Sequence, residues 1–457
     1  MYFKQIFTPG LAHCSYVVGG KNECLVVDPS RDIRQCLNAA KEFGMPITGI
    51  IETHLHADFV SGHMELVQAT GATIYAALSA QCDFEHIGLT EGQSVDHDTL
   101  RIELVETPGH TPESGIFLVS DLERTEHPIL VFSGDALLVG DVGRPDLFPE
   151  RKEELAQKLY HSLRKIENLE DNLELYPAHG MGSLCGRALS AKLSSTVGTE
   201  KKYNYAFSLQ PEEKFEKELL EGMPEAPDYF ARCTEINRQG PPLLSQMQKL
   251  QSLEPKLFQK MALEDHLVVD IRDSLDFIPA HIPEAYCIPV KSNFSTFAGW
   301  VLPPDKPILL VGDTPEEIED AEIKLRRVGL DMIAGFLDGG MEAWIAHGMK
   351  TDRLQSISVH QLKERLKEKD TIFVDTRTRS EWEEEGHIEG TVHGATPDLR
   401  YLFDNLPANQ PIVVFCSTSK RSILGASILK RRGFTDVTQV VGGTTSWENA
   451  GYSLVKE

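Results

Sequence analysis

At 457 residues the chain is too long for one hydrophobic core, and at roughly 100–200 residues per domain it implies about three. Hydrophobic residues at 41% and charged residues at 25% are ordinary for globular protein, and no run of about 18 apolar residues is present to span a membrane. The net charge of −24, spread along the chain, argues against nucleic acid and anionic membrane as partners, since both need a positive footprint.

The opening MYFKQIFTPG has neither the basic start nor the apolar stretch of a secretory signal. Strands are expected over Ser15–Val18, Glu23–Val27 and Ile47–Glu52, with a helix over Arg31–Phe43. Further strands are expected at Leu100–Glu106, Gly115–Val119 and Ile129–Ser133, then a helix over Arg151–Ile166 and a short strand Leu173–Tyr176. Each histidine or aspartate of interest in this half falls where a strand gives way to a loop, the place where a scaffold presents ligands to a shared cleft. The first domain is expected to occupy 1–209. A charged stretch over 210–240, punctuated by Pro211, Pro224 and Pro227, reads as one packing helix followed by a link. The eight cysteines, Cys14, Cys24, Cys36, Cys82, Cys185, Cys233, Cys287 and Cys416, form no CxxC pair. They are too sparse for a disulfide scaffold and are expected as reduced thiols in a cytoplasmic protein.

The second half repeats itself. Pro307–Gly312 (PILLVG) recurs 104 residues on as Pro411–Cys416 (PIVVFC), and Gly329 recurs as Gly433 at the same offset. Upstream, VVDIRDS (Val268–Ser274) matches FVDTRTR (Phe373–Arg379), and the copies continue to His281-Ile282 and His387-Ile388. Strands alternating with helices in each copy indicate two small parallel-sheet α/β domains, over 241–352 and 356–457.

The strongest chemical signal is Thr53-His54-Leu55-His56-Ala57-Asp58. Ligand-type residues at spacing two on extended chain face one side. Thr107-Pro108-Gly109-His110, Ser133-Gly134-Asp135 and Pro177-Ala178-His179-Gly180 add further imidazole and carboxylate, a mixture suited to a borderline first-row divalent metal. Spacing alone does not rank His54 above His56. At these residues the chain resembles the metallo-β-lactamase superfamily, over about Met1–Phe207, which implies an αββα sandwich. Its hydrolytic members use THxHxDH to hold two metals; here Phe59 stands in place of the final histidine and has no lone pair to donate. THLHADFVSGH, TPGHTPES and SGDALLVGDVGRPDL together resemble the persulfide dioxygenases, which use one Fe(II).

That resemblance implies a mononuclear iron held by His54, His110 and Asp135, with His56, Asp58 and His179 orienting ligands or water. It implies a low-molecular-weight thiol persulfide and dioxygen as substrates, sulfite as product, and Arg144 as a residue that holds the thiol. Cys185, soon after His179, is a candidate relay for sulfane sulfur. Glutathione-using members often carry a tyrosine where this chain has Gly180-Met181-Gly182, so coenzyme A, glutathione or another thiol remains open as the carrier. The alternative on the same scaffold is a thioester hydrolase of the glyoxalase II type using zinc-bound hydroxide.

Cys416 closes the apolar strand Ile412–Phe415 and opens the loop Cys416-Ser417-Thr418-Ser419-Lys420-Arg421-Ser422. A loop leading into a helix aims backbone N–H groups at the sulfur, and Lys420 and Arg421 favour the thiolate and attract an anion. Over Ser356–Glu457 this resembles the rhodanese active-site loop, which implies sulfur transfer through a Cys416 persulfide. In the first copy Gly312 stands for Cys416, and Glu317 and Ile318 for Arg421 and Ser422, so that domain is expected to be catalytically silent and to serve docking or homo-oligomer formation. Cys287 is expected to be packing. The combined expectation is sulfide detoxification: one persulfide oxidised to sulfite, and sulfur from a second passed by Cys416 to that sulfite as thiosulfate.

Overall fold

In the computed structural model, which describes residues 1–187, 189–223 and 225–456, strand Leu100–Glu106 illustrates how the first half is built. Leu100, Ile102 and Leu104 are buried, while Arg101, Glu103 and Val105 between them are half-covered. Period-two alternation puts each set on its own face. Two six-stranded sheets meet through such faces. One runs in chain order through Tyr2–Thr8 (β1), His13–Gly19 (β2), Cys24–Val27 (β3), Ile47–Ile51 (β4), Thr73–Ala77 (β5) and Ile87–Leu89 (β6). The other runs through Ser94–His97 (β7), Leu100–Glu106 (β8), Gly115–Asp121 (β9), Leu130–Gly134 (β10), Glu174–Pro177 (β11) and Ser195–Thr196 (β12).

Tyr16, Val18 and Leu25 from the first sheet share a core with Ile102, Phe117 and Phe132 from the second. Helix Arg34–Phe43 covers the outer face of the first sheet with Cys36, Ala39 and Ala40, joined by Leu66 of helix His63–Thr70. Helix Lys152–Glu167 covers the second sheet, with Leu159 and Leu163 against Ile116, Leu118 and Val131. Each fully buried leucine of this kind contributes about 1.5–3 kcal/mol. The result is the αββα sandwich.

The stretch 210–240 differs in form from one helix and a link. It holds two helices, Glu212–Leu220 and Tyr229–Gln239, and both belong to a unit made of Met1–Met247 with Arg326–Gly329. Phe215 and Leu219 lie one helical turn apart and are buried in the core under the second sheet, a spacing that the surrounding glutamates disguise. Pro224 lies outside the described residues.

The other unit comprises Gln248–Leu325 and Leu330–Glu457. It contains two five-stranded, wholly parallel sheets. The first, from edge to edge, is Ser252–Leu253 (β13), Ile333–Leu337 (β17), Ile308–Val311 (β16), Leu267–Asp270 (β14) and Tyr286–Cys287 (β15). The second is Gln355–Ile357 (β18), Val437–Val440 (β22), Ile412–Phe415 (β21), Ile372–Asp375 (β19) and Val392–His393 (β20). The orders correspond strand for strand, so the repeat in sequence is a repeat in topology. Asp270 grips Arg272, which reaches the carbonyl of Ala280; Asp375 grips Arg377, which reaches that of Gly386. No helix among the described residues is long and apolar enough to cross a membrane.

Candidate metal centre and cysteine loop

His54 follows β4, His110 follows β8 and Asp135 follows β10, so strand ends bring the three together. Their ligand atoms lie within 4.8 Å of one another, all buried. Asp135 Oδ2 is 3.3 Å from His110 Nε2 and 3.8 Å from His54 Nε2. The far side of each ring fixes its tautomer. His110 Nδ1 donates to the Arg144 carbonyl at 2.9 Å, and a carbonyl only accepts, so Nε2 carries the lone pair. His54 Nδ1 lies 2.9 Å from the Thr53 hydroxyl, which gives its own proton to Asp28, so here too Nδ1 is the donor. Burial holds both imidazoles below their usual pKa, and both are therefore neutral. Neither Nε2 has a hydrogen-bond partner. Two buried acceptors left unmatched cost about 1–3 kcal/mol each, a penalty that a bound cation removes. Two imidazoles and one carboxylate fit a first-row divalent metal with positions to spare.

The three other expected residues surround this group. His179 Nδ1 is 2.8 Å from Asp135 Oδ1, and its Nε2 is 3.0 Å from Asp58 Oδ2. Burial opposes charge on this ring, but the carboxylates of Asp135 and Asp58 outweigh it and raise the pKa well above the histidine range. His179 thus ties Asp58 to Asp135 and orients the latter. His56 falls outside the His54–His110–Asp135 group and sits instead with His13 and His179. Phe59 is buried, with its ring 4.2 Å from that of His13 and 4.4 Å from that of His56, so an apolar ring sits where the THxHxDH pattern has its final histidine.

Arg144, expected to hold substrate, is buried and makes a two-pronged pair with Asp146 at 2.7 and 2.8 Å, with Nη1 on the Leu184 carbonyl. Its visible service to the centre is the carbonyl that orients His110. Cys185 does lie at the site, in a group with Asp58 and His179. Burial, and then Asp58 and Asp135, push its thiol well above the usual cysteine range. A thiol kept protonated is a poor sulfur acceptor.

Other participants carry no motif. His13 on β2 packs its ring 5.2 Å from that of His179. Glu113 accepts the Leu55 N–H between His54 and His56 at 3.0 Å. Asn237 of helix Tyr229–Gln239 donates to the carbonyls of His56 and Phe59 and accepts the Ser61 N–H, all at 2.8 Å. A lone histidine in an apolar strand and an asparagine on a polar-looking helix give no sequence signal.

In the other unit Cys416 is buried at the end of β21, and the helix Lys420–Arg431 begins directly after its loop. The loop closes against Gly442-Gly443, both at positive φ, and the Thr444 N–H donates to the Cys416 carbonyl at 2.8 Å. A Cβ on Gly443 would lie 1.8 Å from that carbonyl oxygen, so only glycine fits. Lys420 is exposed, whereas Arg421 pairs with Glu381 and with the Ser417 hydroxyl. In the first copy Ile318 fills the space beside Gly312: a Cβ there would meet its Cδ1 at 2.9 Å. Glu317 is paired with Lys291 at 2.7 Å. That copy keeps the frame and lacks the nucleophile.

Residues 8–179 match the metallo-beta-lactamase superfamily, and residues 254–347 and 358–450 each match the rhodanese-like domain. The mitochondrial persulfide dioxygenase ETHE1 of Mus musculus is 31% identical over 217 residues, covering 46% of this chain and 77% of the mouse protein. A hydroxyacylglutathione hydrolase of Prochlorococcus marinus is 27% identical over 164 residues, covering 35% of this chain and 61% of that protein. Among solved structures, a metallo-beta-lactamase from Staphylococcus aureus subsp. aureus COL superposes with a TM-score of 0.68 at 32% identity, covering 74% of this chain and 99% of its own.

Proposed function

Because the chain belongs to the metallo-β-lactamase superfamily, on its persulfide dioxygenase branch and with two rhodanese-like domains behind, we propose that it is an iron(II)-dependent persulfide dioxygenase coupled to a sulfurtransferase. The observation that carries this reading is the pair of buried, partnerless Nε2 atoms of His54 and His110 facing Asp135, with Phe59 where a second metal would need a ligand. An iron(II) held by His54, His110 and Asp135 would supply the oxygen-activating chemistry that oxidises a persulfide to sulfite. The chain's own residues prepare that site. The Arg144 carbonyl and the Thr53–Asp28 relay hold the two rings in one tautomer, and His179 holds the carboxylate.

At the second site the Cys416 thiolate attacks the terminal sulfur of another persulfide. An Sγ–S bond forms, the original S–S bond breaks, and the parent thiolate leaves with the electron pair. Sulfite then attacks the sulfur on Cys416, giving thiosulfate and restoring the thiolate. The carrier is a low-molecular-weight thiol such as coenzyme A or glutathione, and the role is sulfide detoxification. Product analysis tests the coupling: Cys416→Ser is expected to release sulfite in place of thiosulfate. Unchanged thiosulfate from that variant counts against it. The hydrolase likeness supports a second reading, thioester hydrolysis with zinc. Phe59 weighs against that reading by removing a two-metal ligand, and thioester assays with zinc-loaded protein decide it.

A further inference from the structure

Arg421, the loop residue placed to capture anions, is already held within the fold. Its Nη1 contacts Glu381 Oε2 at 2.5 Å, its Nη2 contacts Oε1 at 2.6 Å, and Nη2 also reaches Ser417 Oγ at 3.0 Å. Glu381 is fixed in turn: Oε2 accepts the Thr378 N–H at 2.9 Å and its hydroxyl at 2.7 Å. Both partners are only 22% exposed, so water screens them incompletely, and two-pronged pairs of this type are the strong ones. Of the neighbouring arginines, Arg379 is matched by Glu383 at 2.8 Å and Arg377 by Glu385 at 3.1 Å, while Lys420 stands exposed at the start of the helix. A doubly charged oxyanion arriving at Cys416 therefore meets a neutralised pair where an unpaired guanidinium would hold it.

We propose that Glu381 is a specificity-determining residue that, by holding Arg421 across the Cys416 loop, weakens retention of sulfur oxyanions, so that thiosulfate leaves readily and an organic persulfide is the preferred donor. The inference rests on the sulfurtransferase reading above. In the reverse half-reaction the Cys416 thiolate attacks the outer sulfur of thiosulfate. The new bond forms at Sγ, the S–S bond of thiosulfate breaks, and sulfite leaves with the electron pair, so charge is conserved.

The test uses the full chain with thiosulfate or glutathione persulfide as donor and cyanide as acceptor. Intact mass of the protein reports persulfide on Cys416. Glu381→Gln leaves the guanidinium charge uncompensated and is expected to lower KM for thiosulfate about tenfold, the equivalent of about 1.4 kcal/mol, with little change for glutathione persulfide. Glu381→Asp keeps the charge and stays near the parent KM. An unchanged or raised KM for thiosulfate in Glu381→Gln, with Cys416 still loading, overturns the inference alone. If Glu381→Gln loads from neither donor while the parent loads, Glu381 is a structural support, and the inference is again overturned. Absence of a Cys416 persulfide in the parent with both donors overturns the sulfurtransferase reading itself.

Discussion

Replacing Asn237 with alanine tests whether helix Tyr229–Gln239 holds the loop that carries His54 and His56. Asn237 is 1% exposed, and its amide supplies two donors and one acceptor to that loop. Truncation strands the carbonyls of His56 and Phe59 and the N–H of Ser61, each at about 1–3 kcal/mol when buried without a partner. With some water entering the space left, the net loss is about 3–5 kcal/mol. Asn237→Asp keeps the shape but turns the donor into an acceptor facing two carbonyls, so it is expected to be no milder. Tryptophan fluorescence is the wrong probe, because Trp300, Trp344, Trp382 and Trp447 all lie in the other unit. Hydrogen exchange read by mass spectrometry over β4 and the loop to Ser61 is the right one. Exchange there should accelerate about 100- to 4,000-fold, since each 1.4 kcal/mol is tenfold. Less than about tenfold in both variants, with metal content intact, would refute the reasoning.

Three further outcomes are expected. Gly443→Ala forces a Cβ against the Cys416 carbonyl oxygen at positive φ, so intact-mass analysis should find no persulfide on Cys416 while metal content stays normal; normal loading contradicts the account. Phe59→His adds a lone pair beside His13 and His56, and elemental analysis should then find more than one metal per chain; a stoichiometry that stays at one contradicts the reason given for a single ion. Chelation should abolish oxygen uptake and leave cyanide-dependent sulfur transfer intact, because no residue of the Cys416 loop is among the proposed ligands; parallel loss of both would contradict that separation.

The parts that sequence made legible are those where chemistry and chain geometry coincide. His54, His110, Asp135 and His179 stand out because each follows a strand, and the Asp-x-Arg, Gly and His-Ile landmarks of the second half recur at nearly constant offset. Strands without alternation were harder. Most of β5 is buried in the middle of a parallel run and shows no period, and β1 lies at a sheet edge with lysine and glutamine among its apolar residues. Glu381 sits in the glutamate-rich run Glu381–Glu385, which resembles a solvated face; only the fold reveals that it reaches Arg421 across 40 residues of chain. Arg144 contributes in a way its side chain does not announce, because its backbone carbonyl orients His110. Asn237 could not be assigned, because one asparagine among the polar residues of a helix has no spacing to betray it.

Oxygen consumption by Fe(II)-loaded protein supplied with glutathione or coenzyme A persulfide, with sulfite and thiosulfate quantified, decides whether the chain is a persulfide dioxygenase. Rapid uptake is expected with at least one of these persulfides and is abolished in His110→Ala, which removes one of the two Nε2 atoms facing Asp135, the one whose ring is held by the Arg144 carbonyl. No uptake with either persulfide, or uptake that survives His110→Ala, would contradict the dioxygenase reading.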